Sequence, residues 1–381
     1  MCPTSALRAR AIAFRKAPAC PPRTVLTRPP LPSGCRARVH KMLLSTPPPS
    51  PMGNPGAPMA SGVFNLLNTI IGGGVLSLPY AFRGGGILVG ITYQVVFGAL
   101  TLHALRLLLL SQRYAPVRSY EDLARVALGT KGWYAYNIMA FLNCYGACAS
   151  YMVVVGDALP SLLVEMGAHV TREGVLIATT ACIIFPLSAL RSFAALQYAS
   201  TAATLIYVFF AGYLARMYLH AVVLPEPPAA LVKLDALAMV RMAGISAFAY
   251  QCATSLFPIY QEMREPTEQR MTLLASIAIG AAAVLYSTVG AAAYAYFGET
   301  LRGDVLLNLA ELPGLTIQLL RLAFALSICL TFPTLHFAAR RSLDQMLFHS
   351  SEGNAPRARL VPEALGIVSS TLIIALRVRC A

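Results

Sequence analysis

A run of three glycines in an apolar stretch is the feature of the sequence that most directly suggests chemistry. The run is Gly72–Gly74; Asn68 and Thr69 precede it, and Ser77 and Pro79 follow it. Each glycine costs a helix about 1 kcal/mol relative to alanine, and a proline removes a backbone donor. A helix that unwinds at membrane depth frees amide and carbonyl groups, which is tolerated only where they line a cavity or meet a ligand. The segment therefore predicts a broken membrane helix with a binding role.

The backbone groups freed by such a break suit a zwitterion. Amide N–H groups at the positive end of a half-helix favour a carboxylate, whereas carbonyl groups favour an ammonium group or a small cation. The structural alternative is that the glycines only let two helices cross closely, as small residues do in membranes. Three consecutive glycines beside polar side chains favour the binding interpretation.

A second interruption is predicted five membrane spans later, in residues 244–260. Its centre is polar, with Tyr250, Gln251 and Thr254, and Pro258 lies beyond it. Transporters built from inverted repeats place paired discontinuous helices at corresponding positions and bind their substrate between them. The two interruptions together therefore predict one site.

The remaining reactive side chains indicate neither a metal site nor an enzyme. Cys144 and Cys148 share a helical face, but a zinc site needs about four ligands, and no others converge on this pair in the sequence. Catalytic and phosphate-binding motifs are missing from any usable context, so we predict that the protein is not an enzyme. Asp157, near the end of a predicted span, is interpreted either as a gate or proton relay or as a solvated helix end.

The composition shows which elements must position these residues. Of the 381 residues 57% are hydrophobic and only 12% are charged, against about 25% charged residues in an ordinary soluble domain. This excludes a soluble enzyme of ordinary type and predicts an all-α membrane protein. A bilayer core needs about 20 mainly apolar residues per helix. On that measure nine spans are predicted, at 59–82, 87–110, 133–157, 174–190, 197–219, 239–260, 272–296, 315–336 and 361–376.

The N-terminal residues 1–58 have a different composition from the rest. They contain no acidic residue and half of the 26 prolines in the chain. We predict a disordered basic, proline-rich tail, with a cleaved transit peptide or an extension of the gene model as alternatives. Basic residues favour the cytoplasmic side of a membrane, so the basic residues of this tail predict a cytosolic N-terminus. Nucleic-acid binding is not expected, since no folded basic module interleaved with aromatic residues is present.

Several segments resemble the amino acid/auxin permease family, which includes sodium-coupled neutral amino acid transporters and vacuolar amino acid transporters. The segment FNLLNTIIGGGVLSLPYAFRGGGI resembles the opening span of that family, and PLSALRSF, LFPIYQEMREPTEQRM and LTFPTLHFAARRSLDQML are similar to later segments in the same order. The resemblance covers about residues 60–376. It implies eleven helices, of which the first ten form two inverted five-helix repeats, and transport of amino acids by alternating access.

The resemblance also implies roles for single residues. Asn68 corresponds to an asparagine linked to both cation coupling and substrate, Thr331 to a hydroxyl that helps bind sodium, and Cys252 to the region facing the substrate. Two departures weaken a sodium assignment: Ala253 stands where many animal members have histidine, and Cys329 replaces a hydroxyl residue. The predicted substrate-binding residues are Asn68, Thr69, Gly72, Gly73, Gly74, Tyr250, Cys252 and Thr254, and the predicted cation-coupling residues are Asn68 and Thr331.

These observations lead to one expected function with two alternatives. We expect a transmembrane domain at 59–376 that carries neutral amino acids coupled to H⁺ or Na⁺, with no other cofactor, in a vacuolar, lysosomal or plasma membrane. Because the chain stops soon after the ninth span, with about nine helices of an expected eleven, a truncated, non-functional fragment is one alternative. The other is a non-transporting amino-acid sensor or scaffold.

Overall fold

The computed structural model describes residues 58–112, 117, 119–165, 167–188, 194–221, 230–348 and 357–378. Apart from Pro58, the tail predicted over residues 1–58 lies outside the described residues. The regular secondary structure of the described part is helical. Its helices are α1 Met59–Ile70, α2 Gly74–Gly85, α3 Ile87–Ser111, α4 Tyr120–Glu165, α5 Arg172–Thr179, α6 Phe185–Ser188, α7 Ala194–Ala221, α8 Ala236–Ala249, α9 Ala253–Glu262, α10 Glu268–Phe297, α11 Val305–Ala310, α12 Leu315–Phe348 and α13 Arg357–Arg377.

The predicted spans coincide with helices wherever the structure describes them, but several boundaries differ. The predicted first and sixth spans are each two helices, α1 with α2 and α8 with α9. The predicted fourth span contains a π-helical turn at Thr180–Ile184 between α5 and α6. The predicted third span lies within the longer helix α4, which extends over 46 residues with a kink at Gly129. The predicted eighth span lies within α12, which continues to Phe348.

In the described part of the chain, six helical segments are long and apolar enough to cross a membrane when α8 and α9 count as one, or seven if α1 and α2 also count as one bent span. The prediction of nine spans and of an inverted five-plus-five repeat stays a prediction. Apolar side chains left exposed on these helices fit a lipid environment. On α3 they include Leu88, Val95, Val96, Leu100 and Leu107.

Helix α10 lies at the centre of the bundle and packs against α1, α2, α3 and α7. Its alanine- and glycine-rich sequence allows this close packing, because small side chains let helix backbones approach one another in a membrane. At Gly290 an added Cβ would lie 2.4 Å from the Phe82 ring of α2, so only glycine fits there without a shift. Helix α10 thereby holds both halves of the first broken span.

The two broken spans pack half against half. Helix α2 lies against α8, and α1 lies against α9, while α4 and α12 form the other large helix pair. We call the side of the molecule on which α1 begins the N-terminal side and the opposite side, on which α2 ends, the far side. The pairing brings the unwound segments of the two broken spans to the same level of the bundle.

The far side is closed by contacts between loops and helix ends. Residues 230–233 form backbone hydrogen bonds of 2.8 to 3.2 Å with the turn at 85–88. Arg83, in the last turn of α2, donates to the carbonyl oxygens of Glu299 and Leu301 at 3.1 and 2.6 Å. The short helix α11 packs against α2, α4 and α12. These contacts tie both broken spans to the rest of the bundle on that side.

Candidate functional site

The break predicted at the glycine run is present in the structure. Helix α1 ends at Ile70 and α2 begins at Gly74, with an angle of 56° between them. An added Cβ at Gly72 would lie 2.1 Å from the Tyr151 hydroxyl, and one at Gly73 would lie 2.6 Å from the Tyr151 ring. Glycine is therefore required at both positions because α4 places an aromatic ring directly against the unwound backbone.

Tyr151 also satisfies one of the freed backbone groups. Its hydroxyl oxygen accepts a hydrogen bond of 2.8 Å from the Gly73 N–H. A tyrosine hydroxyl is both donor and acceptor, so its own proton remains available to donate. The sequence analysis missed this residue, and its only local signal is a tyrosine among small residues in the middle of a predicted span.

The second break separates α8 from α9 at Tyr250–Cys252. Cys252 has φ −142° and ψ 3°, outside the helical region, and its backbone carbonyl accepts from Ser255 N–H. An added Cβ at Gly74 would lie 3.2 Å from the Ala249 Cα, so the start of α2 and the end of α8 are in close contact. The structure thus brings the two predicted interruptions together.

A single hydroxyl on α10 joins the two breaks. The Tyr286 oxygen lies 2.6 Å from the Ile70 carbonyl oxygen and 3.0 Å from the Ala249 carbonyl oxygen. Ile70 is the last residue of α1 and Ala249 the last of α8. The Tyr250 ring lies edge-on to Tyr286 with centroids 5.3 Å apart. Sequence reasoning missed Tyr286 as well, because nothing near it in the sequence marks it out.

One side chain of the second break is exposed and its two neighbours are buried. Tyr250 and Cys252 are each 1% exposed, whereas Gln251 between them is exposed. The Gln251 amide oxygen accepts a hydrogen bond from the Asn143 amide of α4 at 2.5 Å. Two amide side chains therefore lie next to the unwound backbone of the second break, and the sequence alone did not predict Asn143 as one of them.

The other predicted site residues occupy different positions. Asn68 is 4% exposed in the last turns of α1, and the Thr69 hydroxyl donates to the Asn65 carbonyl of the same helix at 2.9 Å. Thr254 is half-buried in the first turn of α9. Thr331 is buried on α12 and donates to the Ser327 carbonyl of that helix at 2.8 Å, so its part in cation coupling stays a prediction.

The ion pairs among the described residues lie away from the two breaks. Asp157 pairs with Arg172 at 2.7 Å, and Glu165 pairs with Arg321 at 2.8 Å, both toward the far side. Among the residues that the structure describes, no group of three or more His, Cys, Asp or Glu side chains could hold a metal ion. The chemistry at the two breaks is therefore that of backbone dipoles, hydroxyls and amides.

Two discontinuous helices that meet inside an apolar helical bundle define a class of membrane proteins that bind a solute at unwound backbone. Comparison with known protein families identifies which family of such proteins the chain resembles. The chain matches the family described as transmembrane amino acid transporter protein over residues 56–379, and it belongs to that family. The resemblance seen in the sequence is thereby confirmed. The protein is an integral, multi-pass membrane protein of a transporter family and not an enzyme.

Individual relatives agree with this assignment. The chain is 29% identical over 313 residues to "Vacuolar amino acid transporter 6" of Saccharomyces cerevisiae, an alignment that covers 78% of this chain and 68% of the relative. It is also 29% identical over 334 residues to "Putative sodium-coupled neutral amino acid transporter 11" of Danio rerio, covering 84% and 72% of the two chains.

Proposed function

We propose that the protein is a secondary active transporter that carries neutral amino acids by alternating access, coupled to H⁺ or Na⁺. The observation that carries this proposal is the meeting of two unwound segments at Ile71–Gly73 and Tyr250–Cys252, with a hydroxyl or amide side chain at each. The family membership and the names of both relatives support amino acids as the substrate class.

The dipoles at the breaks suit the two charges of an amino acid. The N-terminal end of α2 carries the positive end of a helix dipole, and the Tyr151 hydroxyl beside Gly73 can donate to a carboxylate there. The C-terminal ends of α1 and α8 carry negative dipole ends, which suit the ammonium group beside the two carbonyls that Tyr286 bridges. A charged substrate side chain would pay a large desolvation cost between these apolar helices, and this favours neutral substrates.

The closed far side supports alternating access. Lys233 forms an ion pair with Glu299 and donates to the Arg83 carbonyl oxygen, adding to the bonds that Arg83 makes. The Gln251 side chain nevertheless remains exposed. We infer that this conformation admits solute from the N-terminal side, and that the far-side bonds break when the bundle rocks to the opposite state. With the predicted cytosolic N-terminus, this is the inward-open state.

The test is uptake into liposomes containing the purified full chain. Labelled neutral amino acids are offered as a panel, with an inward H⁺ gradient, an inward Na⁺ gradient or neither. We expect uptake that depends on one of the gradients. No gradient-dependent uptake of any member of the panel would contradict transport, and binding without flux would favour the sensor or scaffold alternative.

Gly73→Leu tests whether the break at the glycine run is the substrate-binding site. A leucine side chain cannot fit beside the Tyr151 ring, so we expect uptake to be abolished while membrane insertion is preserved. Gly212→Leu on α7 is the matched control, because an added Cβ there meets nothing within 4 Å. Wild-type uptake by the Gly73 variant, or equal loss in both variants, would contradict the assignment.

A further inference from the structure

The Tyr286 hydroxyl stands at an unusual point, between two carbonyl oxygens that belong to different broken helices. It is 2.6 Å from Ile70 O and 3.0 Å from Ala249 O, and the tyrosine is fully buried. A hydroxyl has one proton, so it donates to one carbonyl at a time and the two acceptors share it. The two carbonyl oxygens therefore converge on one proton.

Both carbonyls lie where a cation is favoured. The last carbonyls of a helix lack intrahelical partners, and the helix dipole gives that end a negative partial charge. Helix α1 ends at Ile70 and α8 ends at Ala249, so two negative ends meet at this point. Unwound carbonyls and half-helix C-terminal ends are also the groups that coordinate Na⁺ or H⁺ in transporters with broken helices.

We propose that Tyr286 takes the place of a bound monovalent cation between the two breaks. Its hydroxyl proton, tethered to α10, bridges the carbonyl ends of α1 and α8, and this point of the site needs no Na⁺. Tyr286 is thus a positioning residue, which holds the unwound segments in register for the substrate. The inference deepens the proposed function and rests on it only for the identity of that substrate.

Simple core packing does not account for the hydroxyl. Phenylalanine would fill nearly the same volume at position 286, but it would leave two buried carbonyl oxygens without their shared donor. An unsatisfied buried polar group is costly, and the cost here is raised by the two converging dipole ends. Removal of the hydroxyl should therefore create a demand for a cation at this point, which a purely structural tyrosine would not do.

The test measures thermal unfolding of the purified full chain with Na⁺ alone as the probe. Wild type, Tyr286→Phe and Tyr294→Phe are compared in sodium chloride and in choline chloride of the same ionic strength. Tyr294 is the control because it lies on α10 too, but its hydroxyl contacts the Glu299 carboxylate at 3.3 Å, away from the breaks.

We expect Tyr286→Phe to unfold at a temperature lower by a few degrees in choline chloride and to recover part of that loss in sodium chloride. Na⁺ that binds only the folded state stabilises it by mass action. The gain from sodium should exceed the gain shown by wild type and by Tyr294→Phe. An equal deficit in the two salts, or no deficit, would overturn the proposal.

A second variant covers the case in which Tyr286→Phe cannot be purified. Tyr286→Asn leaves a larger gap and adds an amide oxygen as a possible ligand, so it should also gain extra stabilisation from Na⁺; no gain would overturn the proposal. Neither measurement needs a substrate or flux. Failure of wild-type uptake would therefore count against the proposed transport alone, whereas failure of the sodium effect would count against the role of Tyr286.

Discussion

At the scale of single residues, the Tyr151 hydroxyl is the group that we propose to contact the substrate carboxylate. Tyr151→Phe keeps the ring that packs against Gly72 and Gly73 but removes the acceptor of the Gly73 N–H. The change also removes the proton that this hydroxyl is proposed to donate to the substrate carboxylate, and a hydrogen bond to a charged group is typically worth about 1.5–3 kcal/mol, or roughly tenfold or more. We expect the KM for uptake to rise by about that factor, measured from the concentration dependence of uptake.

The matched control for this change is Tyr145→Phe. Tyr145 lies on the same helix, but it stacks on Phe141 and packs with the cluster around Cys144 and Ile367. Its hydroxyl should be dispensable for uptake. An unchanged KM in Tyr151→Phe, or an equal increase in both variants, would show that the Tyr151 hydroxyl does not contact the substrate.

The sequence predicts the breaks but not the hydroxyls that serve them. A glycine run and a proline act on their own backbone, so their effect is local and can be recognised in the sequence. Tyr151 and Tyr286 act on backbone groups 78 and 216 residues away. Their contacts arise only when α4 and α10 pack against the broken spans, and no local pattern indicates that packing.

At the scale of helices, two glycines of α10 with different surroundings test how the bundle is packed. An alanine Cβ at Gly290 would lie 2.4 Å from the Phe82 ring, whereas at Gly280 it would meet nothing within 4 Å. Gly290→Ala should destabilise the protein by about 1–3 kcal/mol through overpacking. Gly280→Ala should be neutral or stabilising by up to about 1 kcal/mol, because alanine favours a helix.

Thermal unfolding of the two alanine variants checks this pair. We expect the unfolding temperature of Gly290→Ala to fall and that of Gly280→Ala to stay level or rise. Equal shifts in both variants would mean that the close approach of α2 to α10 is not a stabilising contact.

The sequence predicts where a helix lies when the segment is strongly apolar, but it does not predict how long the helix is. The apolar segment 87–110 became α3 almost unchanged. The first turns of α4, with Glu121 and Asp122, and the last turns of α12 carry polar and charged side chains. Such turns project beyond the apolar segment, and a search for apolar runs therefore ends each helix too early.

At the scale of the whole molecule, the packing of the far side buries a carboxylate. Asp304 caps α11 through a hydrogen bond of 2.8 Å from Leu306 N–H and is 3% exposed. Burial raises its pKa to about 7, and the nearby Asp157 adds to this, while the Leu306 N–H and the Arg321 guanidinium oppose it. The folded molecule therefore binds a proton at Asp304 more tightly than the unfolded chain does.

The sign of the resulting pH dependence follows by linkage. Because the pKa of Asp304 is raised in the closed fold, its stabilising contribution is present in acid and is lost as the pH rises through about 7. Asp304→Asn keeps the shape of the side chain but cannot titrate. We expect the unfolding temperature of wild type to fall by a few degrees between about pH 5 and about pH 8. The unfolding temperature of Asp304→Asn should not show this fall.

Asp235→Asn is the matched control, since Asp235 caps α8 through Leu237 N–H in the same way but is exposed. Its pH profile should follow that of wild type. If Asp304→Asn follows wild type as well, the folded protein does not bury a titrating group at the start of α11. If only Asp304→Asn flattens the profile, Asp304 is the group whose burial in the folded protein makes stability fall as the pH rises.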